Sequence, residues 1–149
     1  MIAPKRILVP TDFSEFSDDA LEVAYDIAKQ YQAKIYLLHV IETIQQCAVD
    51  YCLEEQTVDE LEKQILASSE KMMKEQIEKV VKSKDVEIIT DIRKGTAHRE
   101  ILKEEQSRNI DLVVISSHGK TGFLGHLLGS VAEKITREAK CPVVLVRKK

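Results

Sequence analysis

Residues 112–130 read Leu-Val-Val-Ile-Ser-Ser-His-Gly-Lys-Thr-Gly-Phe-Leu-Gly-His-Leu-Leu-Gly-Ser. The first five form an unbroken apolar run closed by a serine, the pattern of a strand buried on both faces of a parallel sheet. Four of the five glycines of the chain follow within eleven residues. Ser130 then opens a helical pattern: Val131, Ala132, Ile135 and Ala139 share one face, and Cys141-Pro142 stops it. Strand, glycine-rich turn and helix follow one another without a spacer.

The same grammar repeats outward in both directions. Strands are predicted at Arg6 to Pro10, Lys34 to Val40, Val86 to Ile92, Leu112 to Ser116 and Val143 to Arg147. The third alternates polar and apolar residues, which suits an edge strand with one wetter face. Between strands the period becomes helical. Phe16, Ala20, Ala24, Ile27 and Tyr31 mark one helix, capped at Ser14 or Ser17. Leu61, Ile65, Met72, Met73, Ile77, Val80 and Val81 mark a longer one ending before Lys82, its methionine pair read as core packing. Ala97, Ile101 and Leu102 mark a third, with Thr96 as N-cap. Strand–helix alternation builds right-handed crossovers and a parallel sheet covered on both faces. The expected fold is one α/β domain over residues 1–149, a Rossmann-like five-stranded sheet ordered 3-2-1-4-5. Ligands on such sheets sit at the carboxyl ends of the strands, where strand order reverses.

Composition narrows the function classes. The 149 residues are 44% hydrophobic and 32% charged, ordinary for a globular chain. Basic residues number 22 against 25 acidic, Trp is absent and Phe plus Tyr total seven, so neither charge nor stacking surface favours nucleic acid. No apolar run approaches the ~20 residues of a membrane helix, and no signal-peptide core follows Met1. Three cysteines without a CxxC pair point to a reducing, cytoplasmic setting. The connection from Ile41 to about Gln56 exceeds the usual ~2–6 residues. It reads either as a surface loop with an extra helical turn or as a lid over a strand-end site.

The strand ends carry the chemistry. Thr11 and Asp12 follow the first strand. A carboxylate there either accepts hydrogen bonds from ribose hydroxyls or closes an Asx turn. After the fourth strand, glycines permit close backbone approach, and the helix opened by Ser130 presents a positive end to an anion. Ser130-x-x-Glu133 also reads as a capping box that needs no ligand. Gly119-Lys120-Thr121 is no P-loop, because Val114 stands where that motif needs glycine.

The combination ILVPTDFS near the amino terminus, LLHV on the second strand, SSHG…GS after the fourth and CPVVLVR at the end resembles the universal stress protein family along nearly the whole chain. ATP-binding members carry G-x2-G-x9-G-[S/T]; here the pattern is Ser116-x2-Gly119-x9-Gly129-Ser130. The resemblance implies that Asp12 binds ribose, with Pro10 and Thr11 lining the pocket and the Val40 backbone meeting the adenine edge. Ser116 takes the first-glycine position, and Gly119, Gly129, Ser130 and Val131 offer donors to phosphates. His118 either touches phosphate or orders the loop. A positive φ at Ser116 would strain it by on the order of 1 kcal/mol. The implied ligand is ATP, with ADP and AMP as alternatives and Mg or Mn as candidate metals. The implied assembly is a homodimer through residues 143–147, read in turn by a protein partner.

Rival chemistries fit less well. A receiver-type phosphoacceptor wants an acidic pair after strand one, and only Asp12 is there. Nucleophile elbows, HExxH and clustered metal ligands are absent from the sequence. His39, on a buried strand, reads as a satisfied core histidine. A nucleotide-responsive binding module is therefore expected over a dedicated enzyme. A protein-interaction dimer without nucleotide, or a slow ATPase, are the alternatives.

Overall fold

The computed structural model describes residues 2–42, 54–119 and 127–148. Both readings of the long connection, together with Cys47 and Cys52, fall largely on residues outside these, as do Gly122 and Gly125. The elements are β1 (Arg6–Pro10), α1 (Glu15–Tyr31), β2 (Lys34–Ile41), α2 (Glu55–Val80), β3 (Ile88–Lys94), α3 (Ala97–Ser107), β4 (Leu112–Ser116), α4 (Ser130–Glu138) and β5 (Val143–Val146). All pairings are parallel and the order is β3-β2-β1-β4-β5, as expected from the sequence.

Period-two alternation divides the sheet between two cores. Ile7, Val9, Ile35, Leu37, Leu112 and Val114 face α1 and α2. Leu8, Tyr36, Leu38, Val113 and Ile115 face α3 and α4, against Ile101, Ala132 and Ile135. Each fully buried Leu or Ile contributes about 1.5–3 kcal/mol, so this two-sided burial is what holds the layers together. Ala20, Ala24 and Ala28 recur every four residues on α1 and are fully buried, letting its backbone lie close to the sheet. Ser14 caps α1 by accepting from the Ser17 N–H, and Gln32 ends it in the left-handed region at φ 55°.

Three local expectations are corrected, and a fourth holds in position without the expected side-chain bond. β3 runs two residues later than predicted, because Arg93 and Lys94 are not loop charges. Arg93 pairs with the buried Glu104, and Lys94 with Glu62 at 2.8 Å, so pairing with β2 continues to Ile41. β5 stops at Val146 rather than Arg147. On α2 the buried positions are Ser69, Met73 and Gln76, whereas Met72 is 36% exposed: of the methionine pair only Met73 is core. Thr96 occupies the N-cap of α3, but its side chain makes no capping bond. The Glu42 carboxylate accepts from the Ala97 N–H at 2.6 Å instead.

Candidate functional site

The carboxyl ends of β1, β2 and β4 converge on a cleft of about 340 Å³. The wall from β1 is a tight turn. Asp12 Oδ1 accepts from the Ser14 N–H at 3.0 Å and from its hydroxyl, while Thr11 Oγ1 accepts from the Phe13 N–H at 3.0 Å. These bonds hold Phe13 at φ 65°, a conformation uncommon for a non-glycine residue. The Phe13 ring lies 4.3 Å, centroid to centroid, from that of His39. The Asx-turn reading of Asp12 is thus correct, and the carboxylate still lines the cleft.

The opposite wall is glycine backbone. A Cβ on Gly119 would stand 2.6 Å from Asp12 Oδ2, and one on Gly129 would stand 3.2 Å from the Ser117 carbonyl oxygen. Neither glycine has positive φ; what each supplies is close approach. The Gly129 N–H donates to that Ser117 carbonyl at 2.8 Å, and the Ser117 N–H donates to Val146 at 2.9 Å. Gly129, not Ser130, is the N-cap of α4, with no side-chain cap. Ser130 is the first helical residue, one position too late for a capping box with Glu133. Without that box, the first N–H groups of α4 have no side-chain acceptor among the described residues, and Ser130, Val131 and Ala132 line the cleft.

Ser116 ends β4, largely buried and paired with Val146. Its backbone is extended strand, without positive φ, so the serine is unstrained there. His118 Nδ1 meets the Ser117 hydroxyl at 2.8 Å, and the ring faces Phe16 at 5.9 Å. Its Nε2 is buried with no hydrogen-bond partner among the described residues. Pro10, Thr11 and Val40 complete the set, so all ten residues singled out from the sequence border one cavity.

Sequence reading passed over two further titratable side chains. His39 borders the cleft and is half-buried rather than core; a carbonyl can only accept, so its Nδ1 donates to Thr11 O at 2.8 Å. Glu42 borders it too while capping α3. Both lie within two residues of the carboxyl end of β2, and the strand-end rule applied there would have found them. The apolar part of the lining comes from Leu38, Val40, Ala97, Ile101 and Ile115. Among the described residues no group of three or more His, Cys, Asp or Glu side chains could hold a metal ion. Away from the cleft, Cys141 is chemically quiet: burial and then the Glu105 carboxylate push its thiol up to about 12.

A doubly wound parallel sheet with its cleft at the strand-order reversal defines the Rossmann-like class. The chain belongs to the universal stress protein family, whose profile matches residues 4–147. Universal stress protein MJ0531 of Methanocaldococcus jannaschii is 32% identical over 144 residues, covering 97% of this chain and 82% of its own. Universal stress protein YxiE of Bacillus subtilis is 31% identical over 147 residues, covering 95% and 98%. Among solved structures, MJ0577 of M. jannaschii superposes with a TM-score of 0.84 at 29% identity over 99% of both chains. UspA of Lactobacillus plantarum shares the fold with a TM-score of 0.81 at 24% identity over 99% and 100%. Among the described residues no helix is long and apolar enough to cross a membrane.

Proposed function

We propose that this cleft binds an adenine nucleotide, ATP in the first instance with ADP and AMP as alternatives. The protein then acts as a nucleotide-responsive cytoplasmic regulator. One observation carries the reading: among the described residues α4 opens into the cleft without a side-chain cap, beside two glycines at which a Cβ would crowd Asp12 Oδ2 (2.6 Å) and the Ser117 carbonyl (3.2 Å). A backbone cradle of that kind suits phosphate oxygens. The apolar lining from Val40, Ala97 and Ile101 suits a base, and Asp12 a ribose. His118, which borders the cleft, offers a further contact on rotation of its ring. A fold relative at 20% identity and TM-score 0.67 was solved in complex with cAMP, so the architecture accommodates an adenine nucleotide. Mg or Mn would enter with the phosphates. One domain over residues 1–149, dimerising by pairing β5 with its copy, completes the reading.

The test is what the purified protein carries. Desalted protein is denatured and its supernatant resolved by ion exchange at 260 nm, and a separate folded, nucleotide-free sample is titrated with Mg-ATP by calorimetry. Stoichiometric adenine nucleotide, or saturable heat, is expected. An empty protein that gives no heat at millimolar Mg-ATP would overturn the reading in favour of a protein-interaction dimer.

A further inference from the structure

The long helix α2 has three buried positions, and two of them, Ser69 and Gln76, are polar. A buried amide is retained only if its hydrogen bonds are met. Those of Gln76 are met by the turn that carries Asp12. Gln76 Oε1 accepts from the Thr11 hydroxyl at 2.8 Å, and Nε2 donates to Ser17 Oγ at 3.2 Å and to Asp18 Oδ1 at 2.7 Å. The Asp18 carboxylate fixes the amide orientation, since the flipped form would set oxygen against oxygen. Lys79 closes the chain on Asp18 Oδ2 at 2.7 Å. Gln76 is 5% exposed and does not border the cleft; Thr11 and Ser17 do.

We propose that Gln76 is a positioning residue that orients the β1–α1 turn from α2, so that occupancy of the cleft and the seating of α2 form one coupled equilibrium. The hydroxyl of Thr11 is the pivot. It donates to Gln76 Oε1 at 2.8 Å in preference to Ser17 Oγ at 3.0 Å while accepting from the Phe13 N–H, and that last bond holds the left-handed Phe13 backbone immediately after Asp12. Without Gln76 the hydroxyl is left with Ser17 Oγ, itself deprived of the amide donor, so the pair repacks, the Phe13 clasp loosens and Asp12 loses its aim. Linkage is reciprocal, so a ligand that needs Asp12 in place tightens α2 by the same factor. The ligand arm rests on the nucleotide reading; the turn arm does not.

Gln76→Leu is compared with Met73→Ala, which loosens the same helix one turn away without touching the polar chain. In ligand-free protein, Gln76→Leu is expected to shift the Phe13 and Ser14 amide resonances and to speed their hydrogen exchange about tenfold. Its Mg-ATP affinity is expected to fall about tenfold, the worth of one buried hydrogen bond. Met73→Ala should lower the denaturation midpoint yet change neither. In the wild type, Mg-ATP should slow amide exchange at Met73 to Ile77, and Gln76→Leu should abolish that effect. Unchanged Phe13 and Ser14 amides in Gln76→Leu, or the same changes in Met73→Ala, would overturn the proposal. If the wild type binds no Mg-ATP, the nucleotide reading falls while the exchange of Phe13 still decides the role of Gln76. Should Gln76→Leu fail to fold, Gln76→Met carries the same comparison.

Discussion

Replacing Gly119 by alanine tests the construction of the cleft most directly. The new Cβ would stand 2.6 Å from Asp12 Oδ2, against the 3.4 Å at which ordinary contact begins, so one group must give by about 0.8 Å. The carboxylate is not free to swing, since Ser14 holds its other oxygen at 3.0 Å through a backbone N–H. Displacement by that amount breaks this charged bond, worth about 1.5–3 kcal/mol. Resistance instead leaves an overpacked contact costing about 1–3 kcal/mol. Either route predicts a stability loss near ~2 kcal/mol and, on the nucleotide reading, Mg-ATP binding weakened about 10–100-fold. Urea denaturation and calorimetry measure the two. Asp12→Ala removes the obstructing oxygen, so Gly119→Ala in that background should cost under about 0.5 kcal/mol, a strong non-additivity. An equal cost in both backgrounds would refute the clash as the cause.

Three further outcomes follow from contacts described above. Glu42→Ala removes the acceptor for the Ala97 N–H and should cost about 1 kcal/mol, the usual worth of an N-cap, with faster exchange at Ala97. Asp85 accepts from the Ser83 hydroxyl and, at 2.7 Å, from that of Tyr25, which in that order hold its carboxyl below its ordinary value. Tyr25→Phe should therefore raise the Asp85 pKa in an NMR titration. A depressed folded pKa contributes stability that is present above the unfolded value and lost as pH falls through the folded one. The wild-type advantage through Asp85 should accordingly vanish in acid. Alkylation of Cys141 in native protein at pH 8 should run at least about a hundredfold slower than for an unperturbed thiol, read by mass spectrometry. Glu105→Gln should speed it.

The sheet order, and a cavity bordered by all ten chosen residues, were legible because both follow from strong local signals. Apolar runs locate central strands, and in a doubly wound sheet the ends of those strands must meet. What escaped was decided by partners far away in sequence. Arg93 looked like the end of a strand until Glu104 neutralised it. Gln76 went unremarked on its helix, since only contact with Thr11 and Ser17 makes it a buried position. The Ser130 box failed by one residue because Gly129 could approach Ser117 closely enough to end the loop there. His39 shows a different limit: a buried strand argued for core, yet its place two residues before the carboxyl end of β2 sets it beside the cleft. At Ser116 the residue type raised a question of strain that only the backbone answers.

The register of β1 has a consequence for how the chain assembles. One edge of β1 meets β2 after a single helix, Ile7 beside Ile35, whereas the other waits for a strand more than a hundred residues on, Ile7 beside Leu112. Non-local closure is slow, so the protein is expected to fold in two instalments, β1-α1-β2 first and β4 onto it later. Pulse-labelled exchange should protect Ile35 to Leu38 before Val113 to Ile115. The cleft spans that seam, and anything bound in it bridges the half of the sheet that forms early to the half that arrives late.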